Sequence, residues 1–348
     1  MLLAGSPADA QALNGPPLLP APGRDVLVVT STNNATANEI VVFMLDTSGT
    51  PSLSVLNTLP TGGAGGGGNA GMVQFRDDLG AVVNYGSNDV SKLLRIGNSI
   101  AVGDAIKLAS GCTKPVSVAL TQNQLFVVSA NCAESHNWPQ GSVDGAVVAL
   151  TDTSAAQIAV GQTWAGVTMG SGSVLQLLLN GAGALNGTSA TVTLPSGANV
   201  VPLGAAFWGD LMGFTPAHSP DSFALVNKSE DVFPVLGPQP PFPMNAPCWV
   251  AKGPGNVWYT GNAAGHAVSI FFSDSQGGVF YKSVPVPGVA TDVAVSPDRQ
   301  WLAVNYTATD SSGGHIAVFS IDAYGDLTLA ATSPGISVPG FSGVAFSE

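Results

Sequence analysis

Residues able to transfer protons or bind anions are few in this chain, and one segment holds several of them. The segment CAESHNWPQGSVDG, residues 132–145, places Glu134 two residues before His136 and Trp138 two residues after it. A carboxylate can orient a nearby imidazole as a general base, and an indole can stack on a substrate ring. The sequence therefore predicts His136 and Glu134 as catalytic residues and Trp138 as a binding residue, with an ordered surface loop as the alternative.

Cationic side chains are scarce, with ten Lys and Arg against 22 Asp and Glu. Lys114 directly precedes the apolar segment PVSVAL, and an ammonium there could bind the carboxylate of a substrate. We predict Lys114 as a third catalytic residue. His266 and His315 each begin an apolar segment, and we predict them as binding residues; the alternative is that they only satisfy a loop. His218 is expected in a turn on the opposite face.

Apolar segments that end in asparagine recur along the chain and define its organisation. They end at seven positions: Asn34, Asn84, Asn131, Asn180, Asn227, Asn262 and Asn305. Their spacing of 35 to 50 residues is typical of a four-stranded β-propeller blade. We interpret each segment as strand B of a blade, between an inner strand A and outer strands C and D. The sequence predicts an all-β, seven-bladed propeller.

The asparagines at the ends of these strands have two interpretations. An amide can satisfy backbone groups of the loop that follows a strand, which is a structural role. The same position at the mouth of the central channel also predicts Asn84, Asn131, Asn262, Asn305 and Tyr306 as ligand-binding residues. In addition, Trp164, Trp208 and Trp249 are expected at the starts of strands A, either packing between blades or forming a stacking platform.

The two ends of the chain predict how the ring closes. The first repeat lacks a strand A of its own, and the last residues, SGVAFSE, resemble the strand A segment VAVSPD. We expect Val344 to Phe346 to pair with Val26 to Thr30, which leaves no open sheet edge. Residues 24–348 then form a single propeller domain, and residues 1–23 are an extended, Pro-rich lead-in.

A glycine run, TGGAGGGGNAG at residues 61–71, matches G-x-G-x-x-G. A dinucleotide site requires a strand before this motif and a helix after it, and short apolar segments follow instead. The run is expected to connect strand D of the first blade to strand A of the second. We interpret it as a mobile lip at the channel mouth, either a plain crossing or a backbone surface that approaches a ligand.

Three cysteines are present, and they lack the spacing of a metal site. Folding strand A of the third blade back on strand B brings Cys112 opposite Cys132, within disulfide reach. We predict a Cys112–Cys132 disulfide and leave Cys248 as a buried thiol.

The composition restricts the partners. A net charge of -12 repels nucleic-acid phosphates and acidic membranes, so we expect neither partner, and no apolar segment is long enough for a spanning helix. The few lysines and the acidic pI of about 4.4 favour an extracytoplasmic, secreted protein. We expect a monomer that acts on or binds a small molecule, with no cofactor and no metal.

Several segments resemble the seven-bladed lactonase-like propellers, the family of 6-phosphogluconolactonase and 3-carboxy-cis,cis-muconate lactonising enzyme. The likeness is carried by NYGSNDVSKLLRI at 84–96, NAPCWVAKGPGNVWYTGNAAGHAVSIF at 245–271 and GVATDVAVSPDRQWLAVNY at 288–306. Nearly all of residues 24–348 take part. The resemblance implies the seven-bladed fold and a site at the top of the central channel.

The catalytic His, Arg and Glu pattern of that family is not matched. Lys114 occupies a position where the family has a histidine, GAAFWGDLMGF lacks Arg and His, and Glu230 is displaced from the asparagine at Asn227. The resemblance implies a lactonase or muconate cycloisomerase acting on a small lactone or unsaturated carboxylic acid. The alternative is a non-catalytic secreted propeller that binds a small molecule, glycan or protein through its top-face loops.

Overall fold

The fold is built of β-strands alone within the part of the chain that is described. A computed structural model describes residues 25–194, 201–217, 222–229, 231–235, 244–274, 277–309, 313–338 and 341–347. The predicted lead-in 1–23, His218 and Glu230 lie outside these residues. No helix long and apolar enough to cross a membrane is found in the described ranges.

The strands are short and follow one another through tight turns. In chain order they are β1 (Val26–Ser31), β2 (Glu39–Asp46), β3 (Ser52–Pro60), β4 (Val73–Arg76), β5 (Leu79–Asn84), β6 (Asp89–Ile96), β7 (Ser99–Lys107), β8 (Pro115–Leu120), β9 (Gln124–Ser129), β10 (Cys132–Asn137), β11 (Val148–Ala149), β12 (Ala155–Val160), β13 (Trp164–Met169), β14 (Ser173–Leu179), β15 (Leu185–Thr193), β16 (Val201–Trp208), β17 (Leu211–Ala217), β18 (Phe223–Val226), β19 (Val232–Val235), β20 (Pro247–Lys252), β21 (Val257–Asn262), β22 (Ala267–Asp274), β23 (Gly277–Pro285), β24 (Gly288–Val295), β25 (Trp301–Ala308), β26 (Gly314–Ile321), β27 (Leu327–Thr332) and β28 (Ser342–Ser347).

These strands form seven four-stranded antiparallel sheets over the described ranges, which confirms the predicted seven-bladed propeller. Blade 1 has the order β28-β1-β2-β3, and blades 2 to 7 each use four consecutive strands from β4 onward. The last strand pairs with the first, with Phe346 opposite Val28 and Val344 opposite Thr30. The predicted closure of the ring by the C-terminal strand is therefore confirmed.

In blades 4 and 5 the predicted strand B is in fact strand C, so the assignment was wrong by one strand. The segment that ends at Asn180 is β14 and the one that ends at Asn227 is β18, and both are strand C of their blades. Strand C is also apolar and also ends at a polar turn, so the terminal asparagine does not distinguish it from strand B. Strand A therefore begins at Ala155 in blade 4 and at Val201 in blade 5, and strand B begins at Trp164 and Leu211.

The hydrophobic core is divided among the spaces between neighbouring blades. One cluster joins Leu27 and Val29 of β1 to Val82 of β5 and Leu93 of β6. Because each blade is covered by a neighbour on both sides, strand B is buried on both faces, as in β1, where all six residues are buried. The apolar segments of the sequence are therefore these doubly covered strands.

The innermost strands share an irregular pairing near one face of the disc, and it recurs in six of the seven blades. In blades 1, 3, 4, 5, 6 and 7 the pairing of strand A with strand B shifts near the start of strand A, as between Ala290 and Asp292. Such a bulge bends the strand and leaves backbone groups outside the ladder. We call this face the top; it carries the B-to-C and D-to-A connections.

The predicted disulfide is also confirmed. Cys112 and Cys132 are bonded, with 5.7 Å between their Cα atoms, and Cys248 is a buried thiol. The bond fastens the loop before β8 to the first residue of β10.

Candidate functional site

Asn84 and Asn262 are the last residues of their strands B, Asn305 lies within β25, and all three side chains are buried. The Asn84 amide donates to Asp89 Oδ1 and Ser91 Oγ, both at 2.8 Å. Its oxygen accepts from Asn38 Nδ2 at 3.0 Å and Thr61 Oγ1 at 2.7 Å. Asn84 therefore uses its hydrogen-bonding capacity to join blades 1 and 2, in agreement with the structural interpretation.

The other asparagines are also engaged with the protein. Asn262 donates to Ser269 Oγ at 2.6 Å. Asn305 donates to Thr30 Oγ1 at 2.9 Å and to the Gly343 carbonyl at 2.8 Å, which ties blade 7 to the closing strand. Asn131 donates to the Gly111 carbonyl at 2.7 Å from an exposed turn.

His136 and Glu134 do not lie in a top-face loop, so their predicted position was wrong. They belong to β10, strand C of blade 3, and both side chains are fully buried. His136 is opposite Leu125, the second residue of β9, near the bottom of the blade. The structure brings the two together, with Nε2 and Oε1 3.5 Å apart, but away from the channel mouth.

Trp138 and Lys114 lie apart from each other and do not share a site with Glu134 and His136. Trp138 is buried in the cluster that contains Met72 and Leu125, so it packs in the core instead of forming a stacking wall. Lys114 is exposed at the top, directly before β8, with Nζ 6.0 Å from the centre of the Tyr85 ring. The residues predicted as catalytic therefore do not form one site.

Tyr306 and His315 form a pair at the top of blade 7. Their rings are stacked, with centroids 5.1 Å apart and an interplanar angle of 17°. Tyr306 is buried, His315 is half-buried, and Nδ1 of His315 lies 3.3 Å from the Ser333 carbonyl. His266 adopts a left-handed φ of 48° in the turn before β22, where its carbonyl accepts from Val286 N.

A pocket of about 640 Å³ opens at the top mouth of the channel. Its walls come from blades 1, 2, 6 and 7. The lining residues are 32–35, Gly68, Asn69, Trp249, Thr291, Thr307, Phe341 and Ser342. The half-buried indole of Trp249 stands among side chains that carry amides and hydroxyls, whereas the ring of Phe341 is buried in the core against Phe43. None of these described lining residues is charged.

The glycine run forms part of the pocket wall, and it is packed, so its interpretation as a mobile lip was wrong. Gly65 N donates to the Asn34 carbonyl at 2.7 Å and Gly66 N to the Asn33 carbonyl at 2.9 Å. A Cβ on Gly65 would lie 2.5 Å from the Asn33 carbonyl carbon, and one on Gly67 would lie 2.6 Å from the Tyr85 ring. Glycine is needed here because backbone of one blade lies directly on its neighbour.

A single carboxylate joins three of the segments that carry this pocket. Asp292 Oδ2 accepts from Gly71 N at 3.2 Å and Val344 N at 3.3 Å, and Oδ1 accepts from Val293 N at 2.8 Å. The partners follow the lining residues Asn69 and Ser342 by two positions. Asp292 therefore fixes blades 7, 1 and 2 to one another directly below the pocket.

The environment of Asp292 opposes its ionisation. Burial raises the pKa of Asp292 to about 7, and the three N–H donors act in the opposite direction. Its side chain also lines a cavity of about 280 Å³ in the channel below, together with Gln157 and Lys252. Asp292 is therefore the boundary between the top pocket and the lower channel.

Lys252 lies at the bottom end of that lower cavity. Its Nζ donates to the carbonyls of Gly253, Gly255 and Val257 at 2.8, 2.6 and 3.2 Å. It also lies 5.2 and 5.3 Å from the ring centres of Trp208 and Trp258. Burial, with a smaller effect of Arg299, lowers the pKa of Lys252 to about 7, while the carbonyls and indoles favour the ammonium.

Sequence reasoning missed most of the pocket. Trp249 was expected in strand A and is found in β20, whereas Trp164 begins strand B and Trp208 ends strand A. Asn69, Thr291 and Phe341 carried no signal of their own. Their common feature is a position just before or at the start of an inner strand, and in blades 7 and 1 this is where the pairing of strands A and B is irregular.

Comparison with solved structures gives the same architecture. The periplasmic gluconolactonase of Pseudomonas aeruginosa superposes with a TM-score of 0.68 and 16% identity, covering 93% of this chain and 99% of that chain. A proposed 6-phosphogluconolactonase from Bacteroides uniformis gives 0.67 and 14%, again covering 93% and 99%. Virginiamycin B lyase from Staphylococcus aureus gives 0.56 and 9%, covering 93% and 99%.

No family model and no curated protein matches the sequence. At such low identities the structural likeness establishes the fold. The chain is a seven-bladed β-propeller built like the gluconolactonase propellers.

Proposed function

We propose that the protein is a lactonase-like propeller that binds a neutral, polyhydroxylated lactone in the top pocket. The observation that carries this proposal is the pocket of about 640 Å³ lined by Trp249, several amides and hydroxyls and no charged side chain among its described lining residues. Aromatic faces pack against the C–H faces of sugar-like rings, and amides and hydroxyls match ligand hydroxyl groups.

The same lining argues against anionic substrates. A phosphate or a dicarboxylate needs a cationic partner to replace its hydration, and the net charge of the protein is -12. A neutral sugar lactone therefore fits better than a 6-phosphorylated lactone or a muconate. In hydrolysis, water adds to the lactone carbonyl carbon, the ring C–O bond breaks, and the hydroxy acid that forms is repelled by the protein.

Catalysis at such a site would depend on positioned donors. Amide and hydroxyl groups such as those of Asn69 and Thr307 can stabilise the oxyanion that develops on the lactone carbonyl. Asp292 contributes by holding the segments that carry these residues. The alternative, a non-catalytic binding propeller, is supported by one specific observation: the described pocket lining contains no imidazole and no carboxylate.

The location we propose is extracytoplasmic. The Cys112–Cys132 disulfide supports an oxidising compartment, and the gluconolactonase of similar architecture is described as periplasmic.

The test compares glucono-1,5-lactone with its 6-phosphorylated analogue and a muconate, following acid release at constant pH and binding by calorimetry. Asn69 is half-buried in the pocket and Asn123 is exposed on the opposite face, so Asn69→Asp and Asn123→Asp form a matched pair. We expect saturable hydrolysis of the neutral lactone. Its rate should fall at least tenfold in Asn69→Asp and stay unchanged in Asn123→Asp.

Saturable binding without acid release would select the binding-protein alternative. A preference for the phosphorylated lactone, or equal effects of the two substitutions, would overturn the proposed site.

A further inference from the structure

The interior of blade 3 collects four side chains of the types that bind transition metals. Cys132, Glu134 and His136 alternate along β10, so all three side chains point to the same face of the strand. The disulfide adds Cys112. Both sulfur atoms and a carboxylate oxygen of Glu134 lie within 4.8 Å of one another, and all three residues are buried.

Glu134 and His136 face each other through two atoms that the protein leaves unsatisfied. Oε1 of Glu134 and Nε2 of His136 are 3.5 Å apart, and neither has a hydrogen-bond partner among the described residues. The opposite atoms are engaged: Oε2 of Glu134 accepts from Ala109 N at 2.6 Å, and Nδ1 of His136 lies 3.0 Å from the Gly141 carbonyl.

This arrangement requires a positive charge between the two groups. A carbonyl accepts only, so Nδ1 of His136 carries the hydrogen, and Nε2 of a neutral ring then directs its lone pair at the Glu134 oxygen. Two lone pairs facing each other away from water repel unless a proton or a cation separates them. Oxygen and nitrogen ligands at about 2.0 to 2.1 Å from one tetrahedral zinc ion are about 3.4 Å apart, which is close to the separation found here.

We propose that Glu134, His136 and the thiolates of Cys112 and Cys132 form a transition-metal site that opens when their disulfide is reduced. Reduction by a phosphine with one water molecule gives two thiols and the phosphine oxide. The incoming divalent ion then displaces the two thiol protons. The fourth donor, His136, lies outside the group within 4.8 Å, so a released thiolate must move toward the Glu134–His136 pair to complete the site.

The chemistry of the donors selects the metal. Thiolate and imidazole favour zinc, cobalt or cadmium over magnesium and calcium, which prefer oxygen ligands. Entry is provided on the side of Cys112, because its neighbours Gly111 and Thr113 are exposed. The proposal does not depend on the function of the top pocket.

The experiment titrates cobalt(II) into the full-length protein, oxidised or reduced with a phosphine, and records the thiolate-to-cobalt charge-transfer bands. Near-ultraviolet circular dichroism reports whether the reduced propeller stays folded. We expect one cobalt per chain with thiolate bands in the folded, reduced protein and no such bands in the oxidised protein. Zinc should displace the cobalt.

Two variants test the ligands, and a third is the control. Glu134→Gln keeps the shape and should weaken cobalt binding at least tenfold, and His136→Gln should do the same, while Cys248→Ser should leave the bands unchanged. The proposal is overturned by loss of the bands in Cys248→Ser, by undiminished binding in both ligand variants, or by a reduced protein that unfolds or binds no cobalt. If both ligand variants bind cobalt undiminished, or if the folded, reduced protein binds none, Glu134 and His136 are a proton-bridged pair.

Discussion

At the scale of single residues, Asp292 has the most unusual position in the channel. It is a fully buried carboxylate whose three hydrogen-bond donors come from blades 7, 1 and 2. Its counterparts at the same step of the irregular pairing are Gln157 in blade 4 and Trp249 in blade 6. The inner ring is therefore chemically asymmetric, although the backbone repeats.

The raised pKa of Asp292 predicts a pH dependence of stability. The folded protein binds the Asp292 proton more tightly than the unfolded chain does. The stabilisation from this proton is therefore complete below pH 3.8 and is lost as the pH rises through about 7. We expect urea denaturation to show the free energy of unfolding falling by about 4 kcal/mol over this window, and Asp292→Asn should remove that dependence. Asp46→Asn is the control, because hydrogen bonds from Ser48 lower the pKa of that exposed carboxylate. An identical pH profile in Asp292→Asn would contradict this role.

At the scale of elements, the connections between blades decide the pocket more than the strands do. The glycine run and the loop 32–35 bind each other through backbone hydrogen bonds, and both line the pocket. The run is therefore a structural bridge whose side-chain-free backbone lets two blades approach closely.

Gly65→Ala tests this bridge. The added methyl group would lie 2.5 Å from backbone of Asn33, which cannot move aside as a flexible side chain could. We expect a loss of about 1 to 3 kcal/mol in the free energy of unfolding, measured in urea, together with weaker lactone binding. Gly49→Ala is the control, since its methyl group would meet nothing within 4 Å. Equal stability of the two variants would favour a mobile connection.

At the scale of the whole molecule, the ring is held closed by a strand from the far end of the chain. β28 pairs with β1 and also packs against β4 of blade 2 and β24 of blade 7. Val344 N and the Gly343 carbonyl additionally bond to Asp292 and Asn305 of blade 7. One short segment therefore completes blade 1 and fills the junction between its neighbours.

Deletion of residues 341–348 should open the ring. We expect the truncated chain to lose cooperative urea unfolding, because the edge of β1 and the core around Phe43, which Phe341 covers, become exposed. A synthetic peptide of residues 341–348 should restore the transition, and a scrambled peptide should not. Cooperative unfolding of the truncated chain without the peptide would show that the latch is dispensable.

The sequence alone determined the all-β class, the seven repeats, the closing strand and the disulfide. Each of these depends on patterns that are local or that repeat along the chain, such as the doubly apolar strand B and the likeness of SGVAFSE to VAVSPD. The assignment failed at Asn180 and Asn227 because strand C ends in the same way. It failed at His136 because β10 reads CAESHN, with polar residues at four successive positions and no apolar alternation from which a strand could be recognised.

Only the tertiary structure decided the pocket. Asn69, Trp249, Thr291 and Phe341 are far apart in sequence and meet because closing the ring brings blades 6, 7, 1 and 2 around one channel mouth. The burial of Asp292 arises in the same way, from backbone donors 52 and 221 residues away in the chain. A local pattern specifies a strand, but the solvation and charge of a site depend on segments that only the folded ring brings together.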